Sequence, residues 1–454
     1  MPASRTRRVF SRRISKCKRT IEPHTGGCCM SDKAGSIQVY PIKVHSQSPA
    51  VEDMAHSVGK AVDTLLNGSR SRNLQPGASV AVTAGSRGIA NYVEILRCTV
   101  SALKARGFQP FVFAAMGTHG RGEAEGQREI LDSMGMTENV LGCPVSCSSE
   151  VEQIDEFDAF GRRIPVYCAK EALQADGIVV VNRVKPHTSF RGEYESGLLK
   201  MMTVGMGRAK GADMFHSLGA THLADMIPLI GGSVLRQAPV IGGLAVLENA
   251  KEQTTVVEGI PDDRIMEREK ALLELAKSFM PRLPVDKADL LIVGEMGKNY
   301  SGTGMDTNII GRMRIQGVPE PANPFFTYIG VLRLSEPSHG NATGIGLADM
   351  TTQTLVDDID KTAMYLNCAT SGFIIRAAVP MTFAHDRALI AAAVDMLRID
   401  DTSQLRMLLI RSTLHIEHLW VSEAVYEEVK NEPHIELTDD PKLLAFDEAG
   451  NLIW

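Results

Sequence analysis

Short apolar runs rich in β-branched residues alternate with longer amphipathic stretches over most of the chain. The runs ASVAVTAG (78–85) and FVFAAMG (111–117) flank the helical pattern NYVEILRCTVSALKARG (91–107). The run GIVVVN (177–182) is continuously apolar, which is typical of a strand covered on both faces. This alternation predicts parallel βαβ units, and therefore an α/β protein with mainly parallel sheets.

A stretch punctuated by prolines, residues 280–288, separates two such series of elements. The long helical pattern IPDDRIMEREKALLELAKSFM ends there, and the run DLLIVGEMG (289–297) restarts the cycle of strand and glycine loop. The sequence therefore predicts three parts: a disordered basic extension over 1–34, an N-terminal α/β domain over 35–282 and a C-terminal α/β domain over 283–454.

Charge is unevenly distributed along the chain. The net charge is −6, but residues 1–29 hold eight basic residues and one acidic residue, which leaves 40 basic and 53 acidic residues elsewhere. The excess of acidic residues outside 1–29 would repel the phosphate backbone of a nucleic acid, and we expect no nucleic-acid ligand. The basic head has the composition of a targeting peptide, but MSDKAGSIQVYPIK begins at Met30 like a natural start, which favours a disordered extension.

Two further features bound the class of protein. The chain has no run of eighteen apolar residues and no secretory signal pattern, so we expect a soluble, cytoplasmic protein without a membrane partner. Its eight cysteines are too few for a disulfide scaffold. Cys143 and Cys147 form a C-x3-C pair, but no second pair completes a zinc set.

Four glycine-containing loops follow predicted strands, which is where open α/β sheets bind their ligands. Each loop combines glycines with a cation or an imidazole. They are AVTAGSRG with Ser86 and Arg87, AAMGTHGRGEAEG with Gly117, Thr118 and His119, VVVNRVKPHTSFRGE with His187, and GEMGKNYSGTGMDTN. The P-loop, zincin and nucleophile-elbow motifs are absent, and VGMGRAKG departs from the spacing of a classical dinucleotide site.

Lys200 lies in an unusual setting, within SGLLKMMTVGMGRAKGADMFH (196–216). A lysine among apolar residues is paired, extends to the surface, or stays neutral as a nucleophile. His187 lies upstream and His216 closes the run, so the segment is also a candidate for chemistry.

The ordered set of SRG (86–88), GTH (117–119), PH (186–187), SGLLK (196–200) and His216 resembles the lactate racemase family, whose members carry a nickel-pincer nucleotide. The similarity covers about residues 36 to 310. It implies that the cofactor and the catalytic groups belong to the N-terminal domain, with the active site in the cleft between the two domains.

The resemblance implies a role for each matching residue. Lys200 would carry the nucleotide covalently and His216 would bind nickel, while His119 and His187 would act as paired acid and base. Arg87 would orient the substrate. Ser86, Gly117, Thr118 and Gly197 would contact the cofactor. The tyrosine, glutamine and lysine of the family fall on Ile310, Gly311 and Arg314, which implies that Arg314 reads a substrate larger or more acidic than lactate.

The implied activity is racemisation or epimerisation of a 2-hydroxy acid by hydride transfer, with cofactor-synthesis proteins as transient partners. Two alternatives stay open from the residues alone. One is a non-catalytic protein that binds an anion or a metal on the same fold, and the other is an ordinary NAD oxidoreductase.

Overall fold

The computed structural model describes residues 33–46, 49–86 and 88–454, where strands and helices alternate. The strands are β1 (Gln38–Val44), β2 (Ser79–Ala84), β3 (Gln109–Ala114), β4 (Val145–Ser146), β5 (Val151–Ala159), β6 (Arg162–Ala169), β7 (Gly177–Arg183), β8 (Val240–Glu248), β9 (Thr254–Pro261), β10 (Lys287–Met296), β11 (Phe325–Leu334), β12 (Met350–Thr352), β13 (Met381–Phe383), β14 (Met407–Ile410), β15 (His418–Ser422), β16 (Ile435–Leu437), β17 (Lys442–Leu443), β18 (Ala445–Phe446) and β19 (Leu452–Ile453). The α-helices are α1 (Met54–Leu65), α2 (Tyr92–Ala105), α3 (Ala124–Ser133), α4 (Glu138–Leu141), α5 (Lys170–Leu173), α6 (Leu198–Lys200), α7 (Arg208–His216), α8 (Leu223–Gln237), α9 (Ile265–Phe279), α10 (Thr307–Ile310), α11 (Gln353–Asp357), α12 (Lys361–Ser371), α13 (Asp386–Leu397) and α14 (Glu423–Val429).

The first sheet has the strand order β4-β3-β2-β7-β8-β9. All neighbours are parallel except β9, which returns antiparallel to β8. Helices cover both faces, because alternate residues of β7 enter different cores. Ile178 and Val180 pack with residues of α8 and α9, while Val179 and Val181 pack with residues of α1 and α2. The continuous apolar run of this strand therefore reflects burial on both sides.

The second sheet has the order β13-β12-β11-β10-β14-β15-β1-β16, with β17 also paired to β1. The strands from β13 to β14 are parallel, and β15, β1 and β16 extend the sheet antiparallel. Together the two sheets confirm the predicted α/β class with mainly parallel sheets. The hairpin β5–β6 lies outside both sheets and is antiparallel.

Strand β1 differs from the predicted domain division, which placed residue 35 onward with the first sheet. It pairs with β15 in the second sheet, and Tyr40 stacks on Tyr426 with ring centroids 4.3 Å apart. Ile42 joins the core of that sheet. The first described strand thus belongs to the second sheet, and the chain then crosses to the first sheet, which local patterning cannot show.

Residues 1–32 of the predicted basic extension lie outside the described part of the chain. Within the rest of that extension, Ala34 is fully buried in a 3-10 turn over Lys33–Ser36. Among the described residues no single helix has the length and hydropathy of a membrane span; only the pair Arg208–His216 and Ala220–Gln237 reaches those values jointly, across a bend of 102°.

Both sheets share one local topology, which positions the candidate site. From β2 the chain moves outward to β3 and β4, then returns to place β7 on the other side of β2. From β10 it moves outward to β11, β12 and β13, and then places β14 on the other side of β10. Each sheet therefore has a switch point, β2/β7 in the first and β10/β14 in the second, where a crevice opens beyond the carboxyl ends of the strands.

Candidate functional site

The switch point of the first sheet brings together the loops that the sequence singled out. Ser86 follows β2 and is half-buried, while His187 follows β7 and is also half-buried. The preceding Gly85 lies against Met201, whose methyl carbon is 3.2 Å from where a Cβ would stand on the glycine. Arg87, the predicted substrate-orienting residue, lies outside the described residues.

Lys200 ends helix α6, directly before a π-helix over Met201–Gly205. The lysine is half-buried between the buried Leu199 and Met201, and its Nζ lies 5.7 Å from the centre of the Phe190 ring. A π-helical turn widens the backbone locally and is frequent at functional sites. The lysine is thus held at the switch point rather than extended along the surface.

A buried carboxylate supports the start of this helix. Glu269 on α9 is 1% exposed, and its Oε2 accepts a hydrogen bond from the Leu199 N–H at 3.0 Å. Burial raises its pKa to about 7, although hydrogen bonds from the Leu199 and Leu198 N–H groups oppose that rise. Glu269 therefore fixes the turn from which Lys200 projects.

A glycine is required at position 197 for a structural reason. A Cβ at this position would overlap the Glu269 carboxylate, whose carbon lies 2.7 Å from the Cβ position. The Gly197 carbonyl also accepts a hydrogen bond from the Asn182 side chain at 2.7 Å. The predicted cofactor contact therefore finds no support here, because the open side of Gly197 is filled by Glu269.

The His187 loop is anchored by a second buried acid. The Glu195 carboxylate accepts a hydrogen bond from the His187 N–H at 2.6 Å, and Lys277 lies 3.7 Å from it. The His187 ring stacks on Phe190 with ring centroids 4.1 Å apart. Phe190 also faces Lys200, so the predicted acid–base histidine and the predicted attachment lysine lie against the same aromatic ring.

The hydrogen bonding of His187 limits its chemistry. Its Nδ1 accepts a hydrogen bond from the Ser189 N–H at 3.1 Å, so the neutral ring carries its proton on Nε2. In that form Nε2 is a donor. His187 accepts a proton only if the contact with Ser189 is broken, so the symmetric acid–base role predicted for it is not available in this arrangement.

The GTH loop packs on the same helical segment. Gly117 has a φ of +61°, and its N–H points at the Gly205 carbonyl with an N···O distance of 3.5 Å. A Cβ there would lie 3.3 Å from Val204. Thr118 and His119 are exposed beside it. Gly117 therefore borders the π-helix that follows Lys200, and Thr118 and His119 continue the loop from there.

Gly120, next in this loop, is expected to tolerate no side chain. A Cβ would stand 2.5 Å from the backbone of residues 126 and 127, and φ is +65°. Gly142 also has a positive φ, +71°, but open space around it. Gly142→Ala is expected to cost about 1 kcal/mol of unfolding free energy from backbone strain, and Gly120→Ala about 1–3 kcal/mol more from overpacking. Denaturant unfolding of both variants measures the difference; equal costs would contradict the close packing of the GTH loop.

His216 ends helix α7 and is electrostatically coupled to Lys200. Desolvation by neighbouring atoms lowers the pKa of the His216 imidazole, although the residue as a whole is exposed. The positive charge of Lys200 lowers this pKa further, and the negative charge of Asp213 raises it. A neutral imidazole is the form that binds a metal. Among the residues that the structure describes, however, no group of three His, Cys, Asp or Glu side chains could hold a metal ion.

The second sheet contributes two residues here: Thr307, from the predicted loop GEMGKNYSGTGMDTN, and Arg376, which the sequence did not indicate. Thr307 donates a hydrogen bond to the Thr188 carbonyl at 2.9 Å, and Arg376 contacts the Ser189 hydroxyl at 3.2 Å and the Thr188 carbonyl at 3.3 Å. Arg376 is 3% exposed, and burial lowers its pKa to about 10. Through these contacts the second sheet holds the His187 loop in place.

Arg314 takes a different part from the one predicted for it. Its guanidinium lies 2.5 Å from Asp349 and donates to the carbonyls of Gly346 and Ala348 at 2.8 and 3.1 Å. These contacts occupy the Arg314 guanidinium with groups of the second sheet. The prediction that Arg314 contacts the substrate therefore finds no support. The neighbouring Gly311 has no open space beside it, because a Cβ there would overlap the Pro324 carbonyl.

A family model described as a domain of unknown function (DUF362) matches residues 81–310. No curated protein matches the chain. A structural-genomics crystal structure of a Thermotoga maritima protein matches with a TM-score of 0.46 and 14% identity, covering 73% of this chain and 84% of that one. The lactate racemase apoprotein from Thermoanaerobacterium thermosaccharolyticum matches with a TM-score of 0.40 and 12% identity, covering 69% and 70%. Likenesses this distant carry no functional inference. The family model spans half of the sequence, and the chain belongs to the DUF362 family.

Proposed function

We propose that this protein is a racemase or epimerase of a 2-hydroxy acid and that its reactive lysine, Lys200, carries a nickel-pincer nucleotide. One observation supports the proposal above the others. Lys200 lies at the first switch point, directly before a π-helical turn, and its charge lowers the pKa of His216. Its Nζ faces the Phe190 ring, on which the His187 ring stacks. A nucleophilic amine, a metal-binding imidazole and a proton-handling imidazole are the parts that this chemistry requires.

The residues present fit such a group. His216 would supply one imidazole to the metal, and the bound organic group would supply the other ligands. A pincer nucleotide supplies sulfur ligands, and sulfur with one imidazole suits nickel. Lys200 would hold the group through its Nζ, His216 would bind the metal, and the GTH loop and Ser86 would border it.

The bound group would supply a site that accepts the C2 hydride of the substrate and returns it to either face. The protein handles the hydroxyl proton. We assign proton abstraction to His119, which lies exposed on the GTH loop. His187 donates a hydrogen bond from Nε2 to the substrate oxygen and so stabilises the negative charge that develops there as the hydroxyl proton leaves. The proton held by His119 returns to that oxygen when the product forms. Arg87 would pair with the carboxylate, since arginine forms bidentate contacts with such groups.

Isotope retention tests this chemistry. The protein matured with cofactor-synthesis enzymes is incubated in ordinary water with C2-deuterated 2-hydroxy acids of one configuration, and the product is analysed for configuration and label. We expect the antipode to form with its deuterium retained, because the transferred hydride never exchanges with solvent. Loss of the label during inversion would point to a carbanion and contradict the proposal.

A second candidate is a protein that binds an anion at the same site without catalysis. It is favoured by the His187 arrangement, in which the neutral ring offers a donor to a bound oxygen. The two candidates differ in the matured protein, because an anion binder is colourless and free of nickel. Absorbance and metal content therefore separate them. For either function we place the protein in the cytoplasm, and for the racemase we expect transient contact with cofactor-synthesis proteins.

A further inference from the structure

A large cavity lies away from the residues assigned to the reaction. Its volume is about 1160 Å³, and segments attached to both sheets form its walls: residues 44–46 after β1, 250–252 after β8, 278–284 before β10 and 411–418 after β14. Among the described residues, none of those predicted for the catalytic site lines it. The volume is that of a site for a sizeable organic molecule rather than a single ion.

The second switch point opens onto this cavity. Strand β14 ends at Ile410, and the next residues, including Arg411 and His415, line the wall. The loop after β10 reaches the same place, because the Tyr300 ring meets the His415 ring edge-on with centroids 5.6 Å apart. The cavity thus occupies the position where open α/β sheets bind ligands.

The wall carries an apolar part and a cationic part. Apolar side chains from the end of α9 and the linker before β10, such as Phe279 and Leu283, form one side. The acidic group Glu417 is neutralised by two lysines, Lys43 at 3.6 Å and Lys251 at 3.7 Å. A second acid, Glu252, also lines the wall, so the three cations there, Lys251, Arg282 and Arg411, exceed the two carboxylates by one positive charge.

Arg411 is held in a defined orientation. Its guanidinium carbon lies 5.3 Å from the Trp420 ring centre and 5.5 Å from the Trp454 ring centre. The two rings are inclined at 62° to each other and border a separate, smaller pocket, so they hold the guanidinium by cation–π contacts, while Arg411 itself lines the cavity. A planar fork of this kind suits a carboxylate or phosphate group.

Four histidines also line the cavity: His45, His415, His418 and His434. They do not form a metal site, since no three such groups in the described residues are arranged to hold an ion. Two of them already have side-chain partners: His45 Nε2 lies 2.6 Å from the Glu436 carboxylate, and His415 Nδ1 lies 3.0 Å from the Ser412 hydroxyl.

We infer that this cavity binds an organic anion, a carboxylate or phosphate joined to an apolar body, at the switch point of the second sheet. The acidic group lies toward Arg411 and Arg282, and the apolar body lies against the linker before β10. This site goes beyond the proposed reaction and does not depend on it, because the protein is expected to bind such a ligand without any cofactor.

Equilibrium dialysis of the full chain with labelled octanoate tests the inference. We expect one octanoate per chain, displaced by excess unlabelled octanoate or by octyl phosphate. We expect neither 1-octanol nor inorganic phosphate to displace it at the same concentration. Displacement by 1-octanol would reduce the site to an apolar surface, displacement by inorganic phosphate would reduce it to a simple anion site, and either would overturn the inference, as would absence of binding.

Two further readouts locate the ligand. The two tryptophans of the chain border a neighbouring pocket, with ring centres 5.3 and 5.5 Å from the Arg411 guanidinium carbon. Because Arg411 lines the cavity, octanoate is expected to change tryptophan emission, and unchanged emission at saturation would contradict the placement. Arg282→Gln is expected to raise the octanoate Kd roughly tenfold, the loss of one charge-assisted contact. Arg264→Gln, an exposed arginine paired with Glu267 outside the cavity, is the matched control and is expected to leave the Kd unchanged. Equal effects of the two substitutions would exclude Arg282 from the site.

Discussion

Replacing His119 by glutamine is expected to lower the racemisation rate of the matured protein about 10²–10⁴-fold, the contribution of a general acid–base group. The same substitution at His187 is expected to cost less, roughly tenfold, because glutamine keeps an N–H donor near the position of Nε2. The asymmetry follows from the Ser189 N–H, which occupies Nδ1 of His187.

His187→Ala is the informative comparison, since it removes the donor altogether. It is expected to lose substantially more activity than His187→Gln. Initial rates with each antipode separately, at saturating substrate, measure the effects on kcat. Equal losses for His119→Gln and His187→Gln would show that both histidines exchange protons, and the donor role assigned to His187 would be wrong.

Replacing Glu269 by glutamine is expected to change how stability depends on pH. Burial raises the folded-state pKa of this carboxyl from 4.5 to about 7. Between those values the unfolded chain loses the proton while the folded protein keeps it, so this group makes the folded protein less stable as pH rises. Above the folded pKa the penalty is complete, on the order of 3 kcal/mol.

Glu269→Gln cannot ionise and therefore lacks this slope. We expect urea unfolding of the parent and the variant to show that, between pH 5 and pH 8, the unfolding free energy of the variant rises relative to that of the parent by on the order of 3 kcal/mol. Glu267→Gln on the same helix is the control, because Glu267 is exposed and pairs with Arg264. A difference between parent and Glu269→Gln that stays constant with pH would contradict a buried, protonated carboxyl under the Lys200 helix.

Local sequence patterns were sufficient for the fold class and for the loops of the first switch point. The apolar run of β7 and the glycine loops after β2, β3 and β7 depend on strand burial and chain direction, both of which are encoded locally. Glu269 also left a signal, since it falls on the buried face of α9 with Ile265, Leu272 and Leu273. An acid on an apolar stripe indicates a buried partner, here the N–H groups at the start of α6.

Contacts between distant segments were not predictable in this way. Strand β1 joins the second sheet because of its pairing with β15, which lies almost four hundred residues away. Arg376 lies in the apolar run FIIRAAV, where nothing indicates a contact with Ser189. The substrate role of Arg314 was inferred from the family resemblance alone. Only the structure shows that its guanidinium already binds Asp349 and backbone carbonyls. Partners of this kind are set by tertiary packing.

The mass of the protein matured with the enzymes that make the nickel-pincer nucleotide tests the central claim most directly. We expect one added nucleotide-sized mass per chain, located by peptide mapping on the peptide that contains Lys200. The adduct is expected to be absent from Lys200→Ala and present in Lys210→Ala, a neighbouring exposed lysine that lies over Tyr167. An adduct that persists in Lys200→Ala, or that maps to any other peptide, would contradict the account.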